Sequence, residues 1–525
     1  MQRKRIWMIG AAAACLAAMS GAASAETALI VPHNSEPRTL SPDLAADPGG
    51  YDPTSNFYCH LVVVDWGVSI GGPVYGDLAE TWTTSPDGKT MTFKLRQNAK
   101  WHDGKPLTSE DVKFTYETIL KKKYPFAAYL ANVEKIEAPD AHTLTITLKD
   151  ADASFLPMLA QAAAWTGKIY PKHIWAAQDG FDKGPAVNNP VGCGPFKFKE
   201  WVRGSHIEMV RNKDYFLKPP AVDRLIFKFM TDGNVARAEF DAGNYPYLPY
   251  IFAPSWGEIP KFEARSDVEV VLQESHYGRD IQLNTRRKPL DNLKVRQAIS
   301  YAVDRERMSK LAFNGYWKPA FHAINDAPSP WKNDTAKFPA YDAKAAERLF
   351  DEAGLPRKAD GFRFKLSVTS PSFPDCRNMM EVLVQQLREV GVDARLDNYD
   401  YSTWNDKVQK GDYDISCYFT RYGPDPDSYR EHFAKGGARN FMGYANAEFD
   451  QLAEKARVTL DPAERKKMYD RMQEIIVADV PYINLMNVRQ PSLVRKGWQG
   501  FSPQPSGFNK SVTWFGYYAV TPPKK

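Results

Sequence analysis

At 525 residues, with 43% hydrophobic and 25% charged residues, the chain is too long for one core and too ordinary in balance for disorder. Its formal charge of +5 includes Arg3, Lys4 and Arg5, so the rest of the chain carries only +2, which argues against nucleic acid as a partner. Beyond residue 25 no apolar run approaches the roughly 20 residues of a membrane span, so the body reads as a soluble monomer.

The three N-terminal cations precede an apolar run over 6–23 and the small-residue site Ala23-Ser24-Ala25. This predicts a secretory signal peptide over 1–25, export, and a mature chain starting near Glu26. Cys15 raises a lipoprotein alternative, opposed by the Ala12-Ala13-Ala14 lead-in and by the apolar run that continues past it. Four cysteines remain, Cys59, Cys193, Cys376 and Cys417; they allow three pairings, and their wide spacing excludes a zinc knuckle or a redox CxxC.

Residues 27–42 read as a short strand and a turn, with Pro32, Pro37 and Pro42 breaking any helix. The apolar run 57–64 reads as a helix packed inside. A β meander follows: Thr81-Trp82-Thr83, the turn Ser85-Pro86-Asp87-Gly88, and an alternating strand over 90–95. His102 lies in a second turn, where backbone bonding is its expected role. Thr108 caps a helix with Glu110 and Asp111 in its first turn, and TLTITL over 143–148 alternates as a strand. Gly192, Gly194 and Pro195 lead into another alternating strand, 225–230 is a further one, and 235–242 is a short helix stopped by Gly243. Tyr245, Tyr247 and Tyr250, interleaved with Pro246 and Pro249, read as surface packing or as a rigid aromatic ledge.

The second half is more helical. Helices are predicted over 293–303, from Asp304 to the stop at Gly315, over 343–353 capped by Asp342, over 379–390 and over 403–410, with strands at 364–369 and 394–396. Asp461 caps a helix with Pro462 at its first position and Met468, Met472, Ile475 and Ile476 along its inner stripe. The alternation of strands and helices argues α/β architecture.

Within GDYDISCYFTRYGPDPDSYR, from Gly411 to Arg430, a short buried strand turns abruptly into a rigid polar loop. That loop carries Arg421, Tyr422, Asp425, Asp427 and Tyr429, enough to grip a small polar ligand. The competing reading is that Arg421 pairs with Asp425 or Asp427 and only braces the turn. No catalytic, metal or cofactor residue is predicted. Gly67-Val68-Ser69-Ile70-Gly71 matches a nucleophile elbow, but Gly71-Gly72-Pro73 forbids the helix that should follow; a secreted hydrolase using Ser69 is the rival of a different class. The histidines are scattered, with His60 and His322 the only ones placed near a ligand, and neither a Walker loop nor GxGxxG is present.

GDLAETWTTSPDGKTMTFKLRQNAKWHDGKPLTSEDVKFTYE, over 76–117, closely resembles a signature of the family 5 extracellular solute-binding proteins, the peptide, nickel and oligosaccharide receptors of bacterial ABC importers. SEPRTLSP, GPFKFKEWVRG, VRQAISYAVDRE, YDAKAAERLFDEAGL, GDYD and AERKKMYDRMQEIIVADVPYI follow that family's order. The resemblance implies a two-lobed type II periplasmic-binding-protein fold with an additional small subdomain. It places lobe I at 26–50, 190–276 and 490–525, the subdomain at 51–189, and lobe II at 277–489, with crossings near 275–283 and 487–493. It implies a periplasmic receptor that encloses a solute as its lobes close and docks on an inner-membrane ABC permease.

Three departures bear on the solute. The family's ammonium-binding aspartate, four residues before Pro426, is Tyr422 here, and the preceding position is Arg421. The tryptophan expected ten residues before Gly411 is Tyr401, and the family's GEID is Gly243-Asn244-Tyr245-Pro246. An ordinary peptide N-terminus meets a cation where it expects a carboxylate. The candidate site is therefore Arg421, Tyr422, Asp425, Asp427, Tyr401, Tyr58 and Tyr245. Peptides lead, with an anionic opine-like conjugate, a modified peptide or an oligosaccharide as alternatives.

Overall fold

The computed structural model describes residues 26–41, 48–64, 71–163, 167–324, 329–420, 423, 425–501 and 519–523. The signal segment, Cys15, Ser69, Arg421 and Tyr422 lie outside these residues.

Strand β1 (Ala28–His33) opens the fold, followed by a helix over Pro48–Phe57. The run expected as one helix over 57–64 divides: the helix ends at Phe57, and β2 (Val62–Val64) pairs antiparallel with β3 (Val74–Gly76). Three successive β-branched valines, all buried, suit a strand covered on both faces and lack helical spacing. The expected meander forms a sheet in the order β4-β5-β7-β6, from β4 (Ala79–Thr84), β5 (Thr90–Leu95), β6 (Val133–Asp140) and β7 (Thr143–Leu148). Helix Ser109–Lys122 packs on it, and the Thr108 backbone N–H donates to Asp111 Oδ2 at 2.9 Å.

β8 (Phe196–Val202), β9 (His206–Arg211) and β10 (Arg224–Phe229) join β1 in a second sheet, with β1 and β10 parallel. A disulfide between Cys59 and Cys193 resolves the open pairing, while Cys376 and Cys417 are buried free thiols. His102 bonds to backbone as expected, its Nε2 3.0 Å from Gly194 O, and burial drops its pKa to about 4. One large apolar cluster, with Leu29, Phe93, Ile146, Cys193 and Phe227 among its members, fills this half, lobe I.

β11 (Tyr247–Leu248) leads into the largest sheet, ordered β11-β17-β12-β16-β14-β15, with β13 (Lys318–Pro319) on β17. Its members are β12 (Val268–Leu283), β14 (Phe364–Pro371), β15 (Val392–Tyr399), β16 (Ile415–Tyr418) and β17 (Tyr482–Arg495). Helices Leu293–Ala302, Arg305–Phe313, Ala343–Glu352, Pro374–Glu389 and Pro462–Asp479 supply apolar faces to a second cluster, which is the core of lobe II. β12 and β17 pair antiparallel from Val268↔Arg495 at the lobe I end to Gln282↔Tyr482 at the lobe II end. Their register shifts between Glu274 and Gly278 and again between Arg279 and Asp280, irregularities of the kind that bend a strand pair. Tyr245 and Tyr247, read as surface residues or a ledge, are buried instead, because Tyr247 lies in β11 and Tyr245 packs with Ala236, Phe240 and Leu248.

Candidate functional site

β14 runs parallel to both β15 and β16, so the loops after all three leave at one carboxyl edge, where open α/β sheets bind ligands. The β12 register says which way that edge faces. Leu283 pairs with Ile415 at the start of β16 and Asp280 with Tyr418 at its end, so the edge lies toward Gly278 and the crossing to lobe I. The polar loop after β16 thus springs from the interlobe side of lobe II.

Both ends of that loop are anchored. At its start, Asp280 accepts from the Thr420 backbone N–H at 2.8 Å and from Thr420 Oγ1 at 3.0 Å. Burial pushes the Asp280 carboxyl up to about 7, with the Thr420 bonds and Arg279 opposing. Arg279 Nε donates to Asp375 Oδ2 at 2.9 Å and lies 5.4 Å from the Phe419 ring, and that charge partner holds it ionised despite burial. At the far end, Asp425 receives both terminal nitrogens of Arg465, at 2.7 and 2.8 Å, with both side chains buried. Asp425 also accepts from the Asp427 backbone N–H at 2.9 Å, and Asp427 takes Arg430 Nη2 at 2.9 Å. Tyr429 Oη donates to Ala323 O at 3.1 Å, tying the loop's exit to lobe II.

Among the expected site residues, Asp425 and Asp427 stand together, and both brace the loop through cations that the sequence reading did not pair with them, Arg465 and Arg430. Tyr401 is 51% exposed at the same carboxyl edge, its ring stacked on Phe373 at 5.7 Å and tilted on Trp404 at 5.5 Å. Trp404 is buried, as expected, and its indole donates to Ser416 Oγ at 3.1 Å. Tyr58 and Tyr245 lie elsewhere, each in a separate cluster of buried apolar residues. Tyr58 packs on Phe57 and Tyr170, and Tyr245 donates its phenol to Ala236 O at 2.7 Å. His60 is buried against Asp77 at 3.5 Å, and His322 stands 3.8 Å from Asp334.

Sequence reasoning missed Arg465, Asp280 and Phe373. Arg465 sits in AERKK, which reads as a solvated helix face, yet it falls three and seven residues before Met468 and Met472 and so shares their buried stripe. Glu200, His206 and Glu208 gather their ligand atoms within 4.8 Å, but Glu208 already holds Lys199 at 2.8 Å and Arg224 at 2.7 Å. The Arg224 bond in particular keeps its pKa at about 2, so this carboxylate is a partner for cations of the chain's own.

The chain is similar in sequence and in fold to known proteins. The di/tripeptide-binding protein 1 of Pseudomonas aeruginosa is 28% identical over 472 residues, 84% of this chain and 85% of that protein. The ABC transporter substrate-binding protein CtaP of Listeria monocytogenes superposes with a TM-score of 0.83 at 25% identity, covering 95% of this chain and 100% of that one. AgaA of A. tumefaciens R10, solved with agropinic acid, superposes with a TM-score of 0.72 at 27% identity, covering 95% and 99%. Residues 73–441 match the model described as "Bacterial extracellular solute-binding proteins, family 5 Middle", and the chain belongs to this family of two-lobed solute receptors.

Proposed function

We propose that the chain is the periplasmic receptor of an ABC importer, exported by cleavage after Ala25, which encloses a short peptide or peptide-like solute between its lobes and delivers it to an inner-membrane permease. The single observation that carries this reading is that Asp280 holds Thr420 and Arg465 holds Asp425, at the interlobe edge of lobe II. Polar side chains carried between two held points bind by non-covalent contact at low ordering cost. Closure is then a population shift driven by a solute touching both lobes, with the bends of β12 and β17 as the hinge. Domain limits at 51–189 and 277–489, and ligand contacts from Arg421, Tyr422 and Tyr401, belong to this proposal. No step in it asks for catalysis.

A second reading is favoured by Arg421, which stands beside the position where a peptide's ammonium expects a carboxylate, and by the likeness to a receptor solved with agropinic acid. On that reading the solute is an anionic, opine-like conjugate. Native mass spectrometry of protein purified from its own periplasm distinguishes the two by the mass of the co-purified solute. Thermal-shift titration of wild type and Arg421→Ala with dipeptide, tripeptide and opine panels completes the test. Binding of the peptide panel, weakened in Arg421→Ala, supports the first reading; binding of the opine panel alone, lost in Arg421→Ala, supports the second. Turnover of an ester or peptide substrate, abolished by Ser69→Ala, overturns both.

A further inference from the structure

Among the described residues, the places where the lobe I subdomain meets lobe II include three outside the loop. Gly71, at φ +89°, lies so close to Trp331 that a Cβ there would overlap the indole, and that indole lies 5.4 Å from the Arg465 guanidinium that grips Asp425. Gly88, at the tip of the β4–β5 turn, approaches Leu460 so closely that a Cβ would come within 2.8 Å of its Cδ1. The Ala153 backbone N–H donates to Arg457 O at 2.9 Å, and the Asp152 carboxylate stands 3.9 Å from the Arg457 guanidinium.

Arg457 and Leu460 flank the end of helix Ala447–Val458, on a corner that turns into the helix carrying Arg465. Leu460 is 42% exposed and Thr459 is half-buried, so this corner adds little to the lobe II core. Its apolar tip and its carbonyl are spent on the subdomain instead. Behind the contact lies a cleft of about 570 Å³ whose lobe II wall includes Asp427 and Arg430 and whose lobe I wall includes Asn132, Asp152 and Ser154. The corner therefore closes a seam whose inner end is the anchored loop.

We infer that the corner 457–460 is a catch that the subdomain engages on closure, and that Arg457 and Leu460 are positioning residues for solute retention. This rests on the reading that solute is held by closure of the two lobes. A catch made of one hydrogen bond, one leucine contact and one long ion pair is reversible, which a receptor that must hand over its cargo requires. Coupling to the loop has a physical route, because Trp331 contacts Gly71 on one side and the Arg465–Asp425 pair on the other.

The test uses the full mature protein, wild type and Leu460→Glu, with a mixed dipeptide and tripeptide library as probe. Hydrogen exchange at Ala153 reads the catch directly, since its amide bonds to Arg457 O. We expect Leu460→Glu to speed exchange at Ala153 by about tenfold or more while β5 and β7 keep their protection. Dissociation of library peptides should quicken by about tenfold with little change in association rate, and the melting of the solute-free protein should hold. Unchanged Ala153 exchange in Leu460→Glu, or equal dissociation rates, overturns the inference. If no library peptide binds, the peptide reading fails, and the same exchange at Ala153, measured with the solute that co-purifies with the protein bound, decides the catch. Should Leu460→Glu fail to fold, Arg457→Gly and an Asp152→Ala partner variant take its place with the same readouts.

Discussion

Two buried carboxylates hold the candidate loop, and they do so by opposite electrostatics. Asp425 is paired with Arg465 through two short bonds, so removing one partner leaves the other's charge buried without its counter-ion. Arg465→Met is expected to destabilise lobe II by about 3–5 kcal/mol in denaturant unfolding, while Asp425→Asn with Arg465→Met recovers most of that loss. Among the described residues Asp280 bonds to Thr420 and lies beside Arg279, itself engaged by Asp375, and burial raises its pKa from 3.8 to about 7. A carboxyl raised in the folded state is a stability gain below the unfolded value, lost as pH climbs to the folded one. Stability should therefore fall between pH 4 and pH 7, by up to roughly 4 kcal/mol from this group. Asp280→Asn should flatten that slope in unfolding measured at pH 5 and pH 7.5; an unchanged slope would show that Asp280 does not titrate in this window.

At the scale of elements, what was legible in the sequence was what local chemistry dictates. Thr108, Asp304, Asp342 and Asp461 each stand at the head of a helix, and all but Thr108 accept a first-turn amide with their own side chain. The alternating runs that became β5 and β7 were equally plain, since period-two patterning has no helical reading. The element misread was set by tertiary context. The valines of β2 became a strand because β3, ten residues on, offers a partner, and no local signal announces that partner. The site was harder than the fold for the same reason. A loop of Arg, Tyr, Gly, Pro and Asp announces itself, but its anchors Asp280 and Arg465 lie 140 and 40 residues from their partners, one in a strand and one on a helix that reads as solvated.

At the scale of the molecule, two apolar clusters share no members, and the strands β12 and β17 are the continuous structure that runs from one to the other. Each cluster is large enough to melt as its own cooperative unit, so unfolding of the solute-free protein should show two calorimetric transitions. The Cys59–Cys193 bond assigns them. It spans 134 residues, from the chain just beyond helix Pro48–Phe57 to the chain just before β8, and so staples the base of everything between. Backbone bonds from Gly194 N to Phe57 O and from Ile169 N to Cys59 O run beside it, so the two ends stay near each other without it, but the unfolded chain regains a long loop's freedom. Chain-entropy reasoning puts the cost of losing such a bridge at about 2–5 kcal/mol. Cys59→Ser with Cys193→Ser should lower the lobe I transition by that amount and leave the lobe II transition in place, because the buried thiols Cys376 and Cys417 take no part in the bridge. A solute gripped by both lobes should draw the two transitions together, since neither half can then melt without releasing it. Equal shifts of both transitions in the cysteine variant would mean that the halves unfold as one body, and the hinged capture proposed for this receptor would lose its mechanical basis.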